Sequence, residues 1–565
     1  MPTNYTGGDL FVDALERYGV EYVFGNPGTT ELPVVQALGD SAVEYVLALH
    51  EDIAVGMAAG YAQTRRYHSH QDDSVLPVGV VNLHTAPGVA HGLGNIYNAS
   101  VTGAPLVVTA GSHSTDFRHE EPILHGDLEA MTDQFCKWSA EVLDVAALPT
   151  MLRRAFRVAL TPPTGPVFLA IPLDVAMAET SAEPEPLGPI PSAGRGDPTQ
   201  IEHAAELLVE ADGVTLVVGD GLARSGTGAV ESAVNFAEAT GARVHGEILA
   251  CEVDFPIGHD QWVSYIPPDE DLAATIMSTD AIVFAGISTN TTLTRHDREL
   301  VSANAAIHVG DDAWELGKNQ PADAAILGDP GLVLDELTAR VADRLSDQDR
   351  QARLENVAAF KAMTERKVAE MGEDDAPDDP RASKAELVDE MRAVAGDASV
   401  VDEGVTSKYA MLTRWAFEPQ QYISNKGGGL GYGLPAAVGA AMAEEVRAGD
   451  EEARDVIGFV GDGSYLYYPH TLYTAARYDV DLAVVVSDNR NYRILKDNTL
   501  ALMGGEEADH EFVGMDFEPP VDIPANAESH GAEGHLVETP EGIAPALEDA
   551  LATEGPVVLD VLVHD

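Results

Sequence analysis

Short apolar runs punctuate this chain, and between them apolar residues return every three or four positions. VEYVFG (20–25), EYVLAL (44–49), LPVGVVNL (76–83), PLVVTAG (105–111) and GPVFLAIP (165–172) each end in a Gly-, Pro- or polar-rich loop. Residues 6–18 place Leu10, Phe11, Ala14, Leu15 and Tyr18 on one helical face. Buried strands alternating with amphipathic helices are the signature of parallel α/β sheets. The pattern restarts twice, with TLVVGD, RVHGEI, AIVFAG and AIHVGD between 215 and 311, and again from DASVVDEG (397–404) to PVVLDVLV (556–563). A Pro/Glu/Ser-rich stretch (179–198) and the acidic run GEDDAPDDP (372–380) read as linkers. The expected architecture is α/β: three doubly wound parallel-sheet domains of similar size, at 1–178, 198–345 and 380–565.

At 565 residues the chain is too long for one core. Aromatic residues make up only 6%, so the cores should be built from Val, Ala, Leu and Ile. Lys plus Arg number 33 against 93 Asp plus Glu, a formal charge of −60. Such a field repels nucleic acid and anionic membranes, and it strains the compact state unless salt screens it. At about 1 M salt the screening length is about 3 Å, so the charge reads as an adaptation to a saline cytoplasm. Two cysteines, Cys136 and Cys251, build no disulfide framework and suggest a reducing compartment. The first residues show no basic-then-apolar signal pattern, and no segment reaches 18 uninterrupted apolar residues, so a cytoplasmic protein is expected.

Residues 455–492 carry the most chemistry. They parse as strand, Gly-Asp-Gly loop, helix, strand, then the loop Asp488-Asn489-Arg490-Asn491. In a right-handed βαβ unit both loops emerge at the same carboxyl edge. Asp462 and Asn489, 27 positions apart, can therefore face one another. Gly461 and Gly463 allow close backbone approach, and Ser464 adds a hydroxyl before the helix. Few protein oxygens, completed by diphosphate and water, suit Mg²⁺, and nearby N–H groups can receive the anion. Alone, a Gly-Asp-Gly is an ordinary turn; coupled to an Asn-bearing loop one βαβ later, it is specific.

These residues resemble the diphosphate-binding motif of thiamine-diphosphate enzymes, which begins Gly-Asp-Gly and ends Asn-Asn. Asp488 stands where the first Asn is usual. The resemblance implies that Asp462, the Asn489 side chain and the Asn491 carbonyl hold Mg²⁺, with Tyr492 following at the cofactor. The block FGNPGTTELP, LALHEDIAVGMAAGYAQ, NLHTAPGV resembles the family's pyrimidine-binding domain. By that likeness Glu51, ahead of the small-residue helix, is the carboxyl group that activates the cofactor. NKGGGLGYGLPAAVGAAMAE resembles the pyrimidine-facing segment, with Leu430 beneath the cofactor and Gly428 offering its carbonyl. Gly404 and Val405 lie where the family meets the diphosphate.

The likeness spans nearly the whole chain and is closest to the benzoylformate decarboxylases. It gives His84 a catalytic role and Thr29 a substrate-binding one. A second catalytic His has no clean counterpart, with His125 and His296 as candidates. Ser424 and Asn498 replace phenylalanines, Lys426 replaces an alanine and Ile494 keeps an apolar surface, which points to a smaller or more polar 2-oxo acid. The expected activity is non-oxidative decarboxylation to an aldehyde. The alternative is an acetolactate-synthase-like carboligase, a group that often holds FAD in the middle domain. VVGDGLARSGTG (217–228) is only a loose glycine pattern, so flavin is not expected. In this family the site is completed between subunits, so a homodimer or homotetramer is implied.

Overall fold

The computed structural model describes residues 5–247, 250–267, 269–287, 300–371, 379–449 and 452–565. They form two compact units, one of residues 1–190, 379–415 and 423–565, the other of 191–378 with 416–422.

The first unit opens with β1 (Tyr22–Gly25), β2 (Glu44–Leu47), β3 (Gly79–His84), β4 (Leu106–Ser112), β5 (Ser139–Glu141) and β6 (Val167–Pro172). They pair in parallel in the order β2-β1-β3-β4-β6-β5. The second unit holds β7 (Val214–Val218), β8 (Arg243–Gly246), β9 (Trp262–Tyr265), β10 (Ser278–Ala285), β11 (Ser302–Gly310) and β12 (Ala324–Leu327), in the order β12-β11-β10-β7-β8-β9. Read from β9, this is the 3-2-1-4-5-6 order of dinucleotide-binding folds.

The first unit closes with β13 (Ser399–Glu403), β14 (Tyr422–Ser424), β15 (Val456–Gly461), β16 (Leu482–Asp488), β17 (Glu533–Val537) and β18 (Pro556–Leu562). Their order, β14-β13-β15-β16-β18-β17, repeats that of the first sheet position for position. In both sheets the order reverses between the first and third strands, and a crevice opens there at the carboxyl edge. Glu403-Gly404-Val405 and the Gly461–Ser464 loop flank that point in one sheet; the loop after Gly25 and His84 flank it in the other. The expected three parallel α/β sheets are present.

Four strands fall outside the apolar runs read from the sequence: β5, β9, β12 and β17. All four are sheet edges. An edge strand buries less of its surface, and β17 (EGHLV) shows it with two of its five residues apolar. Its assignment depends on a neighbour to pair with, which local pattern does not contain.

The first and third sheets share a core in which Phe24, Val46 and Ile53 join Val438, Val460 and Val484. At its centre the helix Glu51–Ser69 crosses the helix Gly433–Ala448, and every residue from Glu51 to His68 is buried. A Cβ on Gly60 would come within 2.0 Å of the Ala436 carbonyl, and one on Gly439 within 1.9 Å of the Met57 carbonyl. Small residues let the two backbones touch.

Candidate active site

β3 ends in His84, and the next residue, Thr85, opens the helix Thr85–Thr102 at φ 40°. A β-branched residue in the left-handed region costs about 1–3 kcal/mol, and such strain collects at functional sites. His84 Nδ1 donates to Glu31 Oε2 at 2.8 Å. Glu31 is 1% exposed, and it also accepts from Thr30 Oγ1 and from the Gly28 and Gly111 N–H groups. A neutral His84 held this way carries its lone pair on Nε2. Gly28 makes the approach possible, because a Cβ there would fall 1.9 Å from His84 Nδ1. Thr29 is exposed at the same sheet edge, and its buried neighbour Thr30 is the threonine that reaches His84, at 3.4 Å.

Glu51 follows β2 and begins the buried helix, with His50 as its N-cap accepting from the Asp52 N–H. The Glu51 carboxylate is 8% exposed and accepts from His91 Nδ1 at 3.0 Å. Next to it, Asp52 accepts from the Asn95 N–H and from Tyr468 Oη, and burial pushes its carboxyl up to about 6. This ties the segment bearing Glu51 to the segment that follows the Gly-Asp-Gly loop.

In the third sheet, Asp462 Oδ1 accepts from the Gly463 N–H at 2.8 Å, whereas buried Oδ2 has no hydrogen-bond partner among the described residues. Burial and the adjacent Asp488 carboxyl push Asp462 well above the usual carboxylate range. The Asn489 and Asn491 amides are turned by Asp565, which accepts from both Nδ2 atoms, and buried Asn491 Oδ1 is also without a partner among the described residues. Arg490 between them sits at φ 60°. Unpaired buried oxygens beside a like-charged carboxyl are what a hard divalent cation satisfies. The residues therefore fit Mg²⁺. Ser464 Oγ donates to the Glu403 carbonyl at 3.2 Å, and the Tyr492 ring covers Gly463.

Gly428 is exposed at φ 73° and Leu430 is half-buried, both in a loop that Asn98 and Asn425 pin through the Gly429 carbonyl. Below that loop, buried Glu403 accepts from the N–H groups of Gly431, Tyr432 and Gly433 and from Asn425 Nδ2. Burial pushes its carboxyl up to about 7 against the pull of those four donors. Gly404 follows directly, packed on Phe459, and Val405 is 45% exposed.

Sequence reasoning passed over Glu31, Glu403, His91 and Asn98. Glu31 had a signal, an acid two residues beyond Thr29 on the edge that carries His84. The other three gain their partners only through tertiary packing. His125 lines a cavity of about 260 Å³ with Thr85, Ser112, His113, Arg118 and Glu141. His296 lies outside the described residues. Ser424 is buried and accepts from Lys408 Nζ. Ile494 and Asn498 both lie exposed on the helix Arg493–Met503, four residues apart.

Residues 5–136, 201–337 and 402–561 match the N-terminal TPP-binding, central and C-terminal TPP-binding domains of thiamine pyrophosphate enzymes. The chain is 30% identical to benzoylformate decarboxylase of Pseudomonas aeruginosa, over 97% of each protein. It is 26% identical to a probable acetolactate synthase large subunit of Methanocaldococcus jannaschii, over 99% of this chain and 92% of that one. The structure of benzoylformate decarboxylase from Polynucleobacter necessarius superposes with a TM-score of 0.83 at 26% identity, covering 99% of both chains. That of a 4-hydroxybenzoylformate decarboxylase of Rhodococcus jostii RHA1 superposes with a TM-score of 0.81 at 28% identity, again covering 99% of both. This chain belongs to the thiamine-pyrophosphate-dependent enzymes, within the superfamily that contains the 2-oxo acid decarboxylases and the acetolactate synthases.

Proposed function

We propose that the chain is a Mg²⁺-dependent decarboxylase that converts a 2-oxo acid, smaller or more polar than benzoylformate, to an aldehyde. The observation that carries this is the placement of three features. The His84–Glu31 pair and Glu51 stand at the carboxyl edge of one sheet, and the unpaired Asp462 carboxylate oxygen stands at the equivalent edge of its topological twin. Asp462, Asn489 and the Asn491 carbonyl hold Mg²⁺, and Gly404, Val405, Gly461, Gly463, Ser464 and Tyr492 cradle the diphosphate. Gly428 and Leu430 face the pyrimidine.

When bound, thiamine diphosphate supplies a carbanionic nucleophile and an electron sink for the bond to the departing carboxylate. Glu51 exchanges a proton with the pyrimidine ring nitrogen. Thr29 Oγ1 orients the 2-oxo group beside His84 Nε2, and a proton taken up on that nitrogen is available to the product. Glu31 keeps that nitrogen pointed away from itself. The apolar Ile494 beside the amide of Asn498 supports a substrate with a short or polar side chain.

No flavin is part of this reading. Asp220, Glu247 and Asp254, all buried, cluster beside the end of β7 with Arg224 3.8 Å from Asp220, and a Cβ on Gly219 would meet Glu247 Oε1 at 2.7 Å. The enzyme works as a homo-oligomer whose second copy completes each site, in a saline cytoplasm, with domain boundaries at 1–178, 198–345 and 380–565. Among the described residues no helix is long and apolar enough to cross a membrane.

A panel of 2-oxo acids, assayed in multimolar KCl with thiamine diphosphate and Mg²⁺, tests the assignment by CO₂ and product analysis. Aldehyde from a compact or polar substrate is expected. Benzoylformate as the best substrate removes the specificity argument, and acetolactate as the product assigns the chain to the carboligases.

A further inference from the structure

An amide side chain meets a hard cation through its oxygen, never its nitrogen. Asn489 can therefore serve as a ligand in only one of its two orientations, and its neighbours decide which one it takes. Behind Asn489 and Asn491 lies a single carboxylate. Asp565 Oδ1 accepts from Asn489 Nδ2 at 2.7 Å, and Asp565 Oδ2 accepts from Asn491 Nδ2 at 3.0 Å. A carboxylate has no hydrogen to give, so both amides must turn nitrogen toward it. For Asn491 that orientation is secured twice, because its Nδ2 also donates to the Asn489 carbonyl at 2.7 Å. Asn489 depends on Asp565. On its far side Oδ1 receives just the Asn491 N–H, at a long 3.4 Å.

Asp565 is itself held in place. The Val563 N–H donates to the Asp488 carbonyl at 2.9 Å, and the His564 N–H donates to the Ala382 carbonyl at 3.0 Å. Arg381 Nη1 donates to the Val563 carbonyl at 3.0 Å. The backbone leading to Asp565 is thus laced both to the start of the asparagine loop and to the segment ahead of the helix Lys384–Ala395. Lys384 Nζ, at 3.9 Å, and Arg493 Nη1, at 3.8 Å, offset the charge of Asp565 from beyond hydrogen-bond range. Asp488, the nearer carboxylate along the chain, is engaged elsewhere, since its Oδ1 accepts from the Arg490 N–H at 2.8 Å.

We propose that Asp565 is a positioning residue for the metal: by accepting from both amides at once, it fixes Asn489 in the orientation that leaves Oδ1 available to Mg²⁺. The inference rests on the assignment of Asn489 as a ligand. Partners that orient a ligand from behind typically change metal affinity by about 10- to 100-fold. Asp565→Asn exposes the mechanism. The new amide has one oxygen and one nitrogen, so it satisfies one asparagine and confronts the other with N–H groups. Turning Asn491 over would sacrifice its bond to the Asn489 carbonyl, whereas turning Asn489 over sacrifices the 3.4 Å contact alone. Asn489 is the amide that flips. Asn489→Asp removes the difficulty, because a carboxylate offers an oxygen whichever way it lies. On that background the new amide gives its N–H to the introduced carboxylate and keeps its oxygen for Asn491, and a like-charge contact disappears.

Calorimetric titration of the full-length protein with thiamine diphosphate, at a series of Mg²⁺ concentrations in multimolar KCl, gives the Mg²⁺ needed for half-maximal binding. Asp565→Asn should raise that concentration about 10- to 100-fold in the wild-type background, and should not raise it in the Asn489→Asp background. A rise in both backgrounds overturns the proposal, because lost charge or disturbed packing acts whichever residue stands opposite. Wild-type Mg²⁺ dependence in Asp565→Asn overturns it too. Asn489→Ala separates the inference from the reading beneath it. Unchanged Mg²⁺ dependence there sinks Asn489 as a ligand, and the proposal with it. Weakened dependence there, with Asp565→Asn inert, sinks the positioning role alone.

Discussion

At the scale of single residues, the site depends on carboxylates whose partners dictate their work. In the proposed mechanism Glu51 exchanges a proton, a contribution worth about 10²- to 10⁴-fold in rate. Glu51→Gln should keep the circular-dichroism spectrum and lose turnover by that range with saturating cofactor; near-normal kcat refutes its role. Glu31 is different: it is 1% exposed and is proposed to act only through the His84 ring it holds. In Glu31→Gln the amide N–H faces either the Gly28 or the Gly111 donor and the charge-assisted bond to His84 is lost, at about 1–3 kcal/mol. Turnover should drop about 10- to 100-fold with little change in cofactor affinity; a cofactor Kd that weakens in step with kcat would place Glu31 at the cofactor instead. Glu51, His84 and Asp462 were legible as residue types beside strand ends. The His84–Glu31 bond was not, since 53 positions separate the two and only the β1–β3–β4 edge brings them together.

Elements decide whether those residues meet. The crossing of the Glu51–Ser69 and Gly433–Ala448 helices carries Glu51 at one end, and it tolerates no added carbon at Gly439, 1.9 Å from the Met57 carbonyl. Gly439→Val forces the helices apart. A loss of stability of about 1–3 kcal/mol or more is expected, read by chemical denaturation, with cofactor affinity falling in parallel. The link from Asp52 to Tyr468 gives a pH signature. Its folded value of about 6 lies above the ordinary 3.8, so its stabilising effect is complete below pH 3.8 and is lost as pH rises through 6. Apoprotein Tm should therefore decline between pH 4 and pH 7 more steeply in wild type than in Asp52→Asn, and identical slopes would show that the carboxyl is not held neutral.

The whole molecule is governed by charge and by topology. A net charge of −60 makes the molecule repel itself. Raising KCl from 0.2 M to 2 M should raise Tm markedly and NaCl should act alike; a flat or falling Tm would end the halophilic reading. Composition, the alternation of buried strands with amphipathic helices, the Gly-Asp-Gly and Asn loops and the small-residue helix are local properties, written in neighbours along the chain, so the sequence alone determined the class of fold, the cofactor and the charge environment. Edge strands β5, β9, β12 and β17, the Glu403 anchor under the Gly428–Leu430 loop and the His91–Glu51 contact were decided only in three dimensions. Each needs a partner far along the chain, and pairing across such distances is set by packing geometry rather than by the residues on either side.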